Sequence, residues 1–425
     1  MILKKLSRIF ILIFLFVSVV SCNKDNTPRE IVNTSHLDYL YEEININKTE
    51  MAIIHIYSNY PSYEYVDDED EGTACVDDAA RAALFYLENY KIDTNAEFLE
   101  KNKKLLEFVI YMQAENGYFY NFIWSDYTIN KDFKTSVAEP NWWTWRALWA
   151  LTESYPYYLE SDKIFSEKIK LSVEKIIIAI KKQIPVKYET ENFNGFEIPA
   201  YLPNKYASDQ ASVLLLGLIN YYKQTNDETI YNYMKLLSKG IMQMQIAEKE
   251  NNYYGAFLSW QNLWHAYGNI QSYALLKSYQ VLNDELILDA VLKELNNFYP
   301  VLLKNKYLSS FVVEKKNQNI IIKSENKYSQ IAYNIRPMVY ALIEAYQITN
   351  DEKYAEIAGK IGRWFTGDNP TKTKIYNEET GIVFDGIESS EKVNMNSGAE
   401  STIEALLSII KIKNNKVAEK VFNVE

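Results

Sequence analysis

From residue 74 onward, hydrophobic residues recur at the i, i+3, i+4 spacing of amphipathic helices. The pattern predicts about twelve helices, arranged as six consecutive pairs. Their predicted ranges are 74–91, 95–115, 141–155, 161–183, 203–224, 227–248, 265–282, 284–304, 328–348, 351–365, 397–411 and 414–422. In three pairs the first helix ends in a tyrosine turn and the second starts with Asn or Asp, which are good N-caps: 90–95, 222–227 and 346–351.

The spacing of these pairs predicts a closed ring. The pairs repeat roughly every 60 residues, longer than tetratricopeptide repeats, and the long loops follow the second helix of a pair. In a ring of six hairpins those loops share one face and build a pocket there. We therefore predict an all-α (α/α)6 toroid with short β-like hooks in its loops. The strongly apolar helices 141–155 and 203–224 fit the inner ring, and the Lys/Glu-rich helix 161–183 fits the outer ring.

The N-terminus has the features of a targeting signal. Residues 1–21 carry a basic start followed by the apolar stretch 9–20, which is typical of a signal peptide. The sequence before Cys22 resembles a bacterial lipobox, so cleavage would leave a lipidated Cys22 on a polar tether, 22–35. An ordinary secretory peptide with an incidental cysteine is the alternative. We predict a lipoprotein of the bacterial cell envelope that meets the membrane only through this anchor.

The rest of the chain divides into two parts. Residues 36–73 form a lead-in segment that could cap the ring, and residues 74–425 form the toroid, expected to be the catalytic domain. Within the toroid, the stretch 306–326 breaks the helical pattern and has β-like alternation. It predicts an inserted hairpin.

Composition narrows the range of functions. The formal charge of −11, from 45 basic and 56 acidic residues, argues against a nucleic-acid partner. Two cysteines and three histidines are few ligands for a zinc or other transition-metal centre. We expect no cofactor, although the acidic run Asp67 to Glu71 could hold calcium. Aromatic residues make up 14% of the chain, which favours a cleft lined with rings in addition to a core.

Carboxylates stand at the predicted starts of the first and last inner helices. Asp77 and Asp78 begin helix 74–91, with Arg81 one turn later, and Glu400 lies in the first turn of helix 397–411. Taken singly, each is better explained as a helix cap or a structural ion pair than as a catalytic group. In a closed ring, however, both helix starts face the same opening, so these side chains from the two ends of the chain would meet.

Further residues could contact a substrate. Four tryptophans fall within 142–149, and indole rings cover the flat C–H faces of sugars well. Trp142 and Trp143 are the candidate sugar platforms, with core packing as the alternative, and Glu139 and Asn141 could bond hydroxyl groups. The remaining candidates for substrate binding are Arg81, Asp209, His265, Asp385 and Asn396.

These motifs resemble the six-hairpin glycosidase superfamily. The run Gly367-Asp368-Asn369-Pro370 is similar to a late signature of family 9 glycoside hydrolases, which place a catalytic acid glutamate on a late helix after an asparagine, as Glu400 is placed here. Their early aspartate motif is matched only by Val76-Asp77-Asp78-Ala79, and their histidine-rich motif is missing. Poorly characterised six-hairpin domains, some fused to glycosyltransferases, show closer patterns, here at Asp77–Ala82, Gly117–Phe122, Arg146–Leu151, Asp385-Gly386 and Gly398–Thr402.

The resemblance implies a glycan-active enzyme, and paired carboxylates are what glycosidic hydrolysis needs. We predict a glycoside hydrolase of poly- or oligosaccharides, with Asp77 or Asp78 as base and Glu400 as acid. One alternative is a toroidal polysaccharide lyase, whose reaction usually requires a Tyr/His pair and cationic groups. The acidic balance and the lone His265 count against it. The other is a non-catalytic glycan-binding surface lipoprotein, which needs aromatic platforms but no paired carboxylates.

Overall fold

The computed structural model describes residues 32–184, 187–316 and 319–424. The predicted signal peptide, Cys22 and most of the tether lie outside these residues, so their assignments stay predictions. No helix in the described part of the chain is long and apolar enough to cross a membrane.

The described residues form fourteen α-helices, with one π-helical turn, Glu294–Phe298, between α9 and α10. The helices are α1 (Ser35–Leu40), α2 (Val76–Asp93), α3 (Ala96–Tyr111), α4 (Trp142–Tyr158), α5 (Lys163–Gln183), α6 (Ser208–Thr225), α7 (Glu228–Gln243), α8 (Gln271–Leu282), α9 (Glu285–Lys293), α10 (Tyr299–Lys304), α11 (Ala332–Thr349), α12 (Glu352–Gly362), α13 (Ala399–Lys413) and α14 (Lys416–Phe422).

Six of these helices close into an inner ring. In chain order, α2, α4, α6, α8, α11 and α13 each pack against the next, and α13 packs back against α2. Each inner helix is followed by an outer partner, which is α3, α5, α7, α9 with α10, α12 or α14. The predicted (α/α)6 toroid is therefore confirmed. The inner α4 and α6 are buried over most of their length, whereas α5 leaves Ile164 and Ile178 exposed on the outside.

The helices of the outer ring and those of the inner ring have different N-termini. Every outer helix that follows an inner one starts at an Asn or Asp whose side chain accepts a hydrogen bond from the first turn: Asn95, Asp162, Asp227, Asp284, Asp351 and Asn415. Among the inner helices, the N-cap side chain does so only at Cys75 before α2 and Asn141 before α4. The inner helices thus keep amide groups at their starts that their own N-caps do not satisfy.

The turn between the helices of a pair recurs. Inner helices α2, α6, α8 and α11 each end at a residue in the left-handed conformation whose N–H is donated to a tyrosine carbonyl one turn back. The positive-φ residues are Thr94, Asn226, Asn283 and Asn350. Asparagine tolerates this conformation well, which explains the repeated sequence pattern. The sequence predicted three of these turns, and the structure adds the one at Asn283.

The strands are short and lie in the lead-in segment and in the loops between helices. They are β1 (Tyr41–Ile46), β2 (Thr49–Ile54), β3 (Tyr57–Asn59), β4 (Glu64–Val66), β5 (Ala74–Cys75), β6 (Phe122–Ile123), β7 (Thr190–Phe193), β8 (Phe196–Pro199), β9 (Leu263–His265), β10 (Ser310–Lys316), β11 (Asn319–Asn326), β12 (Gly386–Ile387) and β13 (Val393–Asn394). The pair β10–β11 is the hairpin predicted at 306–326. It is antiparallel and joins β9 in a three-stranded sheet.

The lead-in segment packs against both the first and the last helical pair of the ring. Strand β2 packs on α3, and α1 packs on α13. The carbonyl of Ile56 accepts a hydrogen bond from the N–H of Ala399 at 2.9 Å, at the start of α13. Gly398 directly precedes Ala399, and a Cβ added to it would come within 2.7 Å of the Ile56 oxygen. This close approach of the two backbones therefore requires glycine.

A π-helical turn interrupts the helix predicted at 284–304. It begins at Glu294, whose side chain is only 1% exposed. The carboxylate accepts hydrogen bonds from the Ser272 hydroxyl at 2.5 Å and from the Phe257 N–H at 3.1 Å. Burial nevertheless raises the pKa of Glu294 from 4.5 to about 7.

The raised pKa of Glu294 predicts a pH-dependent stability. The folded state holds a proton that the unfolded state releases between the unfolded pKa of 4.5 and the folded pKa of about 7. The stability from this site is therefore fully present below pH 4.5 and is lost as the pH rises to 7, by about 3 kcal/mol in all. We expect Glu294→Gln to remove this loss, measured by urea unfolding at pH 5 and pH 8. The exposed Glu250→Gln is the control, and a Glu294→Gln variant that kept the wild-type pH profile would contradict the prediction.

Candidate active site

A cavity of about 390 Å³ opens where the first and last inner helices begin. Asp77 and Asp78 enter it from α2, and Glu400 enters it from α13. The lead-in segment supplies Tyr57 to the wall, and the loop before α13 supplies Asp385. Ring closure therefore brings acidic side chains that are more than 300 residues apart in sequence into one pocket, as the sequence predicts.

The start of α2 fixes the two adjacent aspartates. The Sγ of Cys75 accepts a hydrogen bond from the N–H of Asp78 at 3.3 Å, and its thiol donates to Asp78 Oδ2 at 3.2 Å. The N–H of Asp77 is donated to the side-chain oxygen of Asn121 at 3.2 Å. As a result, the side chain of Asp78 is buried at 3% exposure, whereas that of Asp77 is 18% exposed.

Arg81 joins the two ends of the chain. Its guanidinium lies 3.0 Å from Asp78 Oδ1, 2.8 Å from Glu400 Oε2 and 3.4 Å from Glu404 Oε1. The other oxygen of Glu404 pairs with Arg336 of α11. Since Arg81, Glu404 and Arg336 are buried, these charges satisfy one another away from water.

A second ion pair lies beside the first. Arg146 of α4 pairs with Asp77 Oδ2 and donates to the Tyr333 hydroxyl at 2.6 Å. The guanidinium carbons of Arg81, Arg146 and Arg336 lie 5.3, 5.2 and 5.4 Å from the centre of the Tyr333 ring. Three cations thus surround one aromatic ring beneath the cavity, a favourable arrangement when desolvated.

Two carboxyl groups of the cavity have raised pKa values. Burial raises the pKa of Asp78 to about 6, although the nearby Arg81 acts in the opposite direction. Burial also raises the pKa of Asp385, and the nearby negative charge of Glu400 raises it further. The Ser401 hydroxyl and the Gly398 N–H, which bond Asp385 at 2.6 and 2.8 Å, partly offset that effect. Groups of this kind hold and release protons closer to neutral pH than ordinary carboxylates do.

The tryptophan-rich helix is mainly core. Trp143 is 3% exposed, and its indole N–H is donated to the carbonyl of Phe119 at 2.7 Å, so the prediction of a sugar platform is corrected for this residue. Trp142 is half-buried and stacks under Arg146 at 5.0 Å. Two sequence candidates bond each other, since Asn141 Nδ2 donates to Glu139 Oε1 at 3.0 Å. None of these four candidates lines the cavity.

Asp209 and His265 form a buried pair away from the cavity walls. His265 Nε2 lies 2.9 Å from Asp209 Oδ2, and His265 Nδ1 lies 2.8 Å from the carbonyl oxygen of Tyr267. Asn396 also lies outside the walls, where its side-chain oxygen accepts a hydrogen bond from the Tyr60 N–H at 3.1 Å. Of the residues proposed for substrate binding, Arg81 and Asp385 do line the cavity.

The lead-in segment contributes Tyr57, which the sequence did not single out, and Glu71, which the sequence placed only in the acidic run. Tyr57 and Glu71 both line the cavity, and the Tyr57 hydroxyl donates to the Glu71 carboxylate. In the acidic run, Asp68 Oδ1 accepts the N–H groups of Asp70 and Glu71 at 2.8 and 2.9 Å, which is an ordinary turn. The described residues contain no group of three or more His, Cys, Asp or Glu side chains that could hold a metal ion.

Comparisons with known proteins identify the fold. No protein-family model matches the chain, and no curated protein matches its sequence. Among solved structures, a sugar epimerase from a ruminal bacterium aligns with a TM-score of 0.60 and 16% identity over 90% of this chain and 97% of its own. Cellobiose 2-epimerase from Spirochaeta thermophila gives 0.58 and 12% over 87% and 91%. A family 76 glycoside hydrolase from a bovine Bacteroides thetaiotaomicron strain gives 0.57 and 12% over 90% and 76%.

These similarities define the class of fold. The chain has the (α/α)6 toroid of the six-hairpin glycosidase-like proteins, as its motifs indicated. At 16% identity or less, the likeness to the three aligned structures extends to the fold alone.

The arginine network predicts unequal roles for two glutamates on one helix. Glu404 is fully buried between Arg81 and Arg336, so Glu404→Gln leaves two buried guanidinium groups without their shared counter-charge. We expect a loss of about 3 kcal/mol in the free energy of unfolding. Glu400→Gln is the matched control because its side chain is 43% exposed, and we expect a loss below about 1 kcal/mol. Equal losses in urea unfolding at pH 7 would contradict this account.

Proposed function

We propose that the protein is a carbohydrate-active enzyme, and more specifically a glycoside hydrolase of a poly- or oligosaccharide. The observation that carries the proposal is the shared cavity, in which Asp77, Asp78 and Glu400 meet although they come from opposite ends of the chain. Its volume of about 390 Å³ lies in the usual range for small-molecule sites. The similarity in fold to sugar epimerases and to a glycoside hydrolase supports the carbohydrate assignment.

Hydrolysis of a glycosidic bond needs a base or nucleophile on one side of the sugar. We assign this role to Asp77, because its side chain is more exposed than that of Asp78. Arg146 holds Asp77 Oδ2, while Oδ1 is buried without a hydrogen-bond partner among the described residues. Such an oxygen is costly unless a water molecule or a substrate hydroxyl satisfies it. Asp78, enclosed by Arg81 and Cys75, serves to position the site.

The reaction also needs an acid that protonates the leaving oxygen. Glu400 is the primary assignment, since it lines the cavity and is the most exposed of the three carboxylates. Asp385 is the alternative acid, because its pKa is raised and its carboxylate is bonded by the neutral donors Ser401 and Gly398. A general acid must still hold its proton at the working pH, which a raised pKa favours.

Single substitutions test these roles. We expect Asp77→Asn to lower kcat by about a thousandfold on every substrate, since the base or nucleophile is lost. The acid variant, Glu400→Gln or Asp385→Asn, should lose kcat on natural glycans but retain it on dinitrophenyl glycosides, whose leaving group needs no proton. Glu391→Gln, on the exposed loop before α13, is the control. Full activity of the Asp77, Asp78, Glu400 and Asp385 variants on a glycan that the wild type cleaves would refute the proposal.

The arrangement of His265 disfavours a sugar epimerase or isomerase that would use this histidine as its base. Moving a proton between sugar carbons needs a base with a free lone pair. Both ring nitrogens of His265 already face acceptor oxygens, from Asp209 and from the backbone of Tyr267, and the ring is buried. His265 therefore offers no nitrogen to a substrate in this arrangement.

The charge of the cavity disfavours a lyase and predicts the charge of the substrate. Its walls carry six acidic residues and one basic residue: Glu71, Asp77, Asp78, Asp385, Glu388, Glu400 and Arg81. Like charges repel strongly where water is partly excluded. We expect any neutral trisaccharide that binds, such as β-1,4-mannotriose, to bind at least about tenfold more tightly than its uronate counterpart.

Calorimetric titration of the wild-type protein at pH 7 measures this difference directly. The difference in affinity between the neutral trisaccharide and the uronate should decrease when the salt concentration is raised, because salt screens the repulsion. Equal or tighter binding of the uronate would show that the carboxylates do not select the substrate.

A further inference from the structure

A row of aromatic rings lies on the outside of the lead-in segment. Tyr39 on α1, Tyr60 in the β3–β4 turn and Tyr65 on β4 are 47%, 50% and 43% exposed, and Tyr63 is half-buried between them. The ring centres of Tyr60 and Tyr63 are 6.0 Å apart, and those of Tyr39 and Tyr65 are 5.6 Å apart. We call these four residues the tyrosine surface.

Two buried histidines fix the rings from below. His36 lies 6.1 Å from Tyr39 and 5.9 Å from Tyr63, and thereby joins the two halves of the surface. His55 stacks on Tyr65 with ring centres 3.6 Å apart. A surface built on buried groups is preorganised, so a ligand would lose little binding energy in ordering it.

The histidines are themselves held by hydrogen bonds. His36 Nε2 lies 2.9 Å from the carbonyl oxygen of Ser397, in the loop that leads into α13. His55 Nε2 lies 2.8 Å from Glu42, and its Nδ1 lies 3.0 Å from the Thr73 hydroxyl. The tyrosine surface is therefore fixed to the same loop that positions Glu400.

The tyrosine surface is connected to the cavity wall through strand β3. Strand β3 begins with Tyr57, which lines the cavity, and runs directly into the turn that carries Tyr60. The Ser397 N–H is donated to the Ser58 carbonyl at 3.0 Å, which holds this hairpin beside the cavity mouth. Burial raises the pKa of Tyr63, and Asp385, a wall residue, lies close enough to add to that rise.

We propose that the tyrosine surface binds the part of a neutral polysaccharide chain that extends beyond the cavity. This inference rests on the proposed function, because it takes the chain held in the cavity to be a glycan. Phenol rings have flat apolar faces and a polar rim, which match the C–H faces and hydroxyl groups of pyranose rings. A contiguous exposed aromatic area beside a pocket is a typical ligand-binding feature.

The local charge favours a neutral glycan over a membrane. Glu64 lies on β4 between Tyr63 and Tyr65, and the exposed acidic residues 67–70 follow directly. Anionic lipid headgroups attract basic segments and would be repelled by this acidic border. A neutral polysaccharide meets no such repulsion.

The test compares a triple variant with a matched control. The triple variant carries Tyr39→Ala, Tyr60→Ala and Tyr65→Ala, and the control carries Tyr188→Ala, a tyrosine of similar exposure, 44%, beside the β7–β8 hairpin. Affinity electrophoresis of the full protein in gels containing α-mannan, mixed-linkage β-glucan or xylan measures binding. We expect the wild type and the control to be retarded in at least one gel, and the triple variant to bind at least tenfold more weakly. Tyr60→Ala alone serves if the triple variant does not fold.

The outcomes separate this inference from the proposed function. Normal hydrolysis of a trisaccharide together with lost polysaccharide binding in the triple variant supports both. If the wild type cleaves glycans but the triple variant binds polysaccharide normally, the inference fails and the proposed function stands. If binding depends on the tyrosines but no glycan is cleaved, the proposed function fails.

Other occupants of the surface would overturn the inference. We would test vesicles of phosphatidylethanolamine and phosphatidylglycerol by co-sedimentation, and self-association by analytical ultracentrifugation. Tyrosine-dependent binding to vesicles or to a second copy, with no retardation in any polysaccharide gel, would show that the surface serves another partner.

Discussion

The buried ion pairs of Arg81 hold the rest of the site in place. This one side chain, on the first inner helix, contacts carboxylates on the last inner helix and on its own first turn, and Glu404 extends the connection to Arg336. Breaking such a buried set by removing one partner costs far more than breaking a surface pair. The same contacts that close the ring therefore also set the distance between the carboxylates of the cavity, so the stability of the fold and the geometry of the site are linked.

The inner and outer helices of each pair are stabilised differently at their starts. Outer helices start at Asn or Asp residues that satisfy their first amide groups locally, which makes these starts independent of the rest of the molecule. Inner helices largely lack such caps, and their starts use partners from elsewhere in the chain, as when the Ile56 carbonyl accepts the N–H of Ala399 at the start of α13. The face that carries the cavity is thus assembled from remote parts of the chain.

This difference explains how much the sequence could predict. The twelve helices and the tyrosine turns follow from local periodicity and capping, and their predicted ranges agree with the structure within a few residues, apart from the π-turn at Glu294 and longer offsets at some ends. The meeting of Asp77 and Glu400 required the global hypothesis of a closed ring. The burial of Trp143 and the entry of Tyr57 into the cavity wall depend on how the loops pack. Strands of two or three residues are too short to show a hydrophobic periodicity that would predict this packing.

The contact between Ile56 and Ala399 has a consequence for synthesis on the ribosome. The two residues are 343 positions apart, and the lead-in segment reaches its docking surface on α13 only after α13 has been translated. At about 5 to 20 residues per second, this delay is roughly 20 to 70 s. During that interval α1, which packs on α13, lacks its partner, so this part of the lead-in segment completes its packing last.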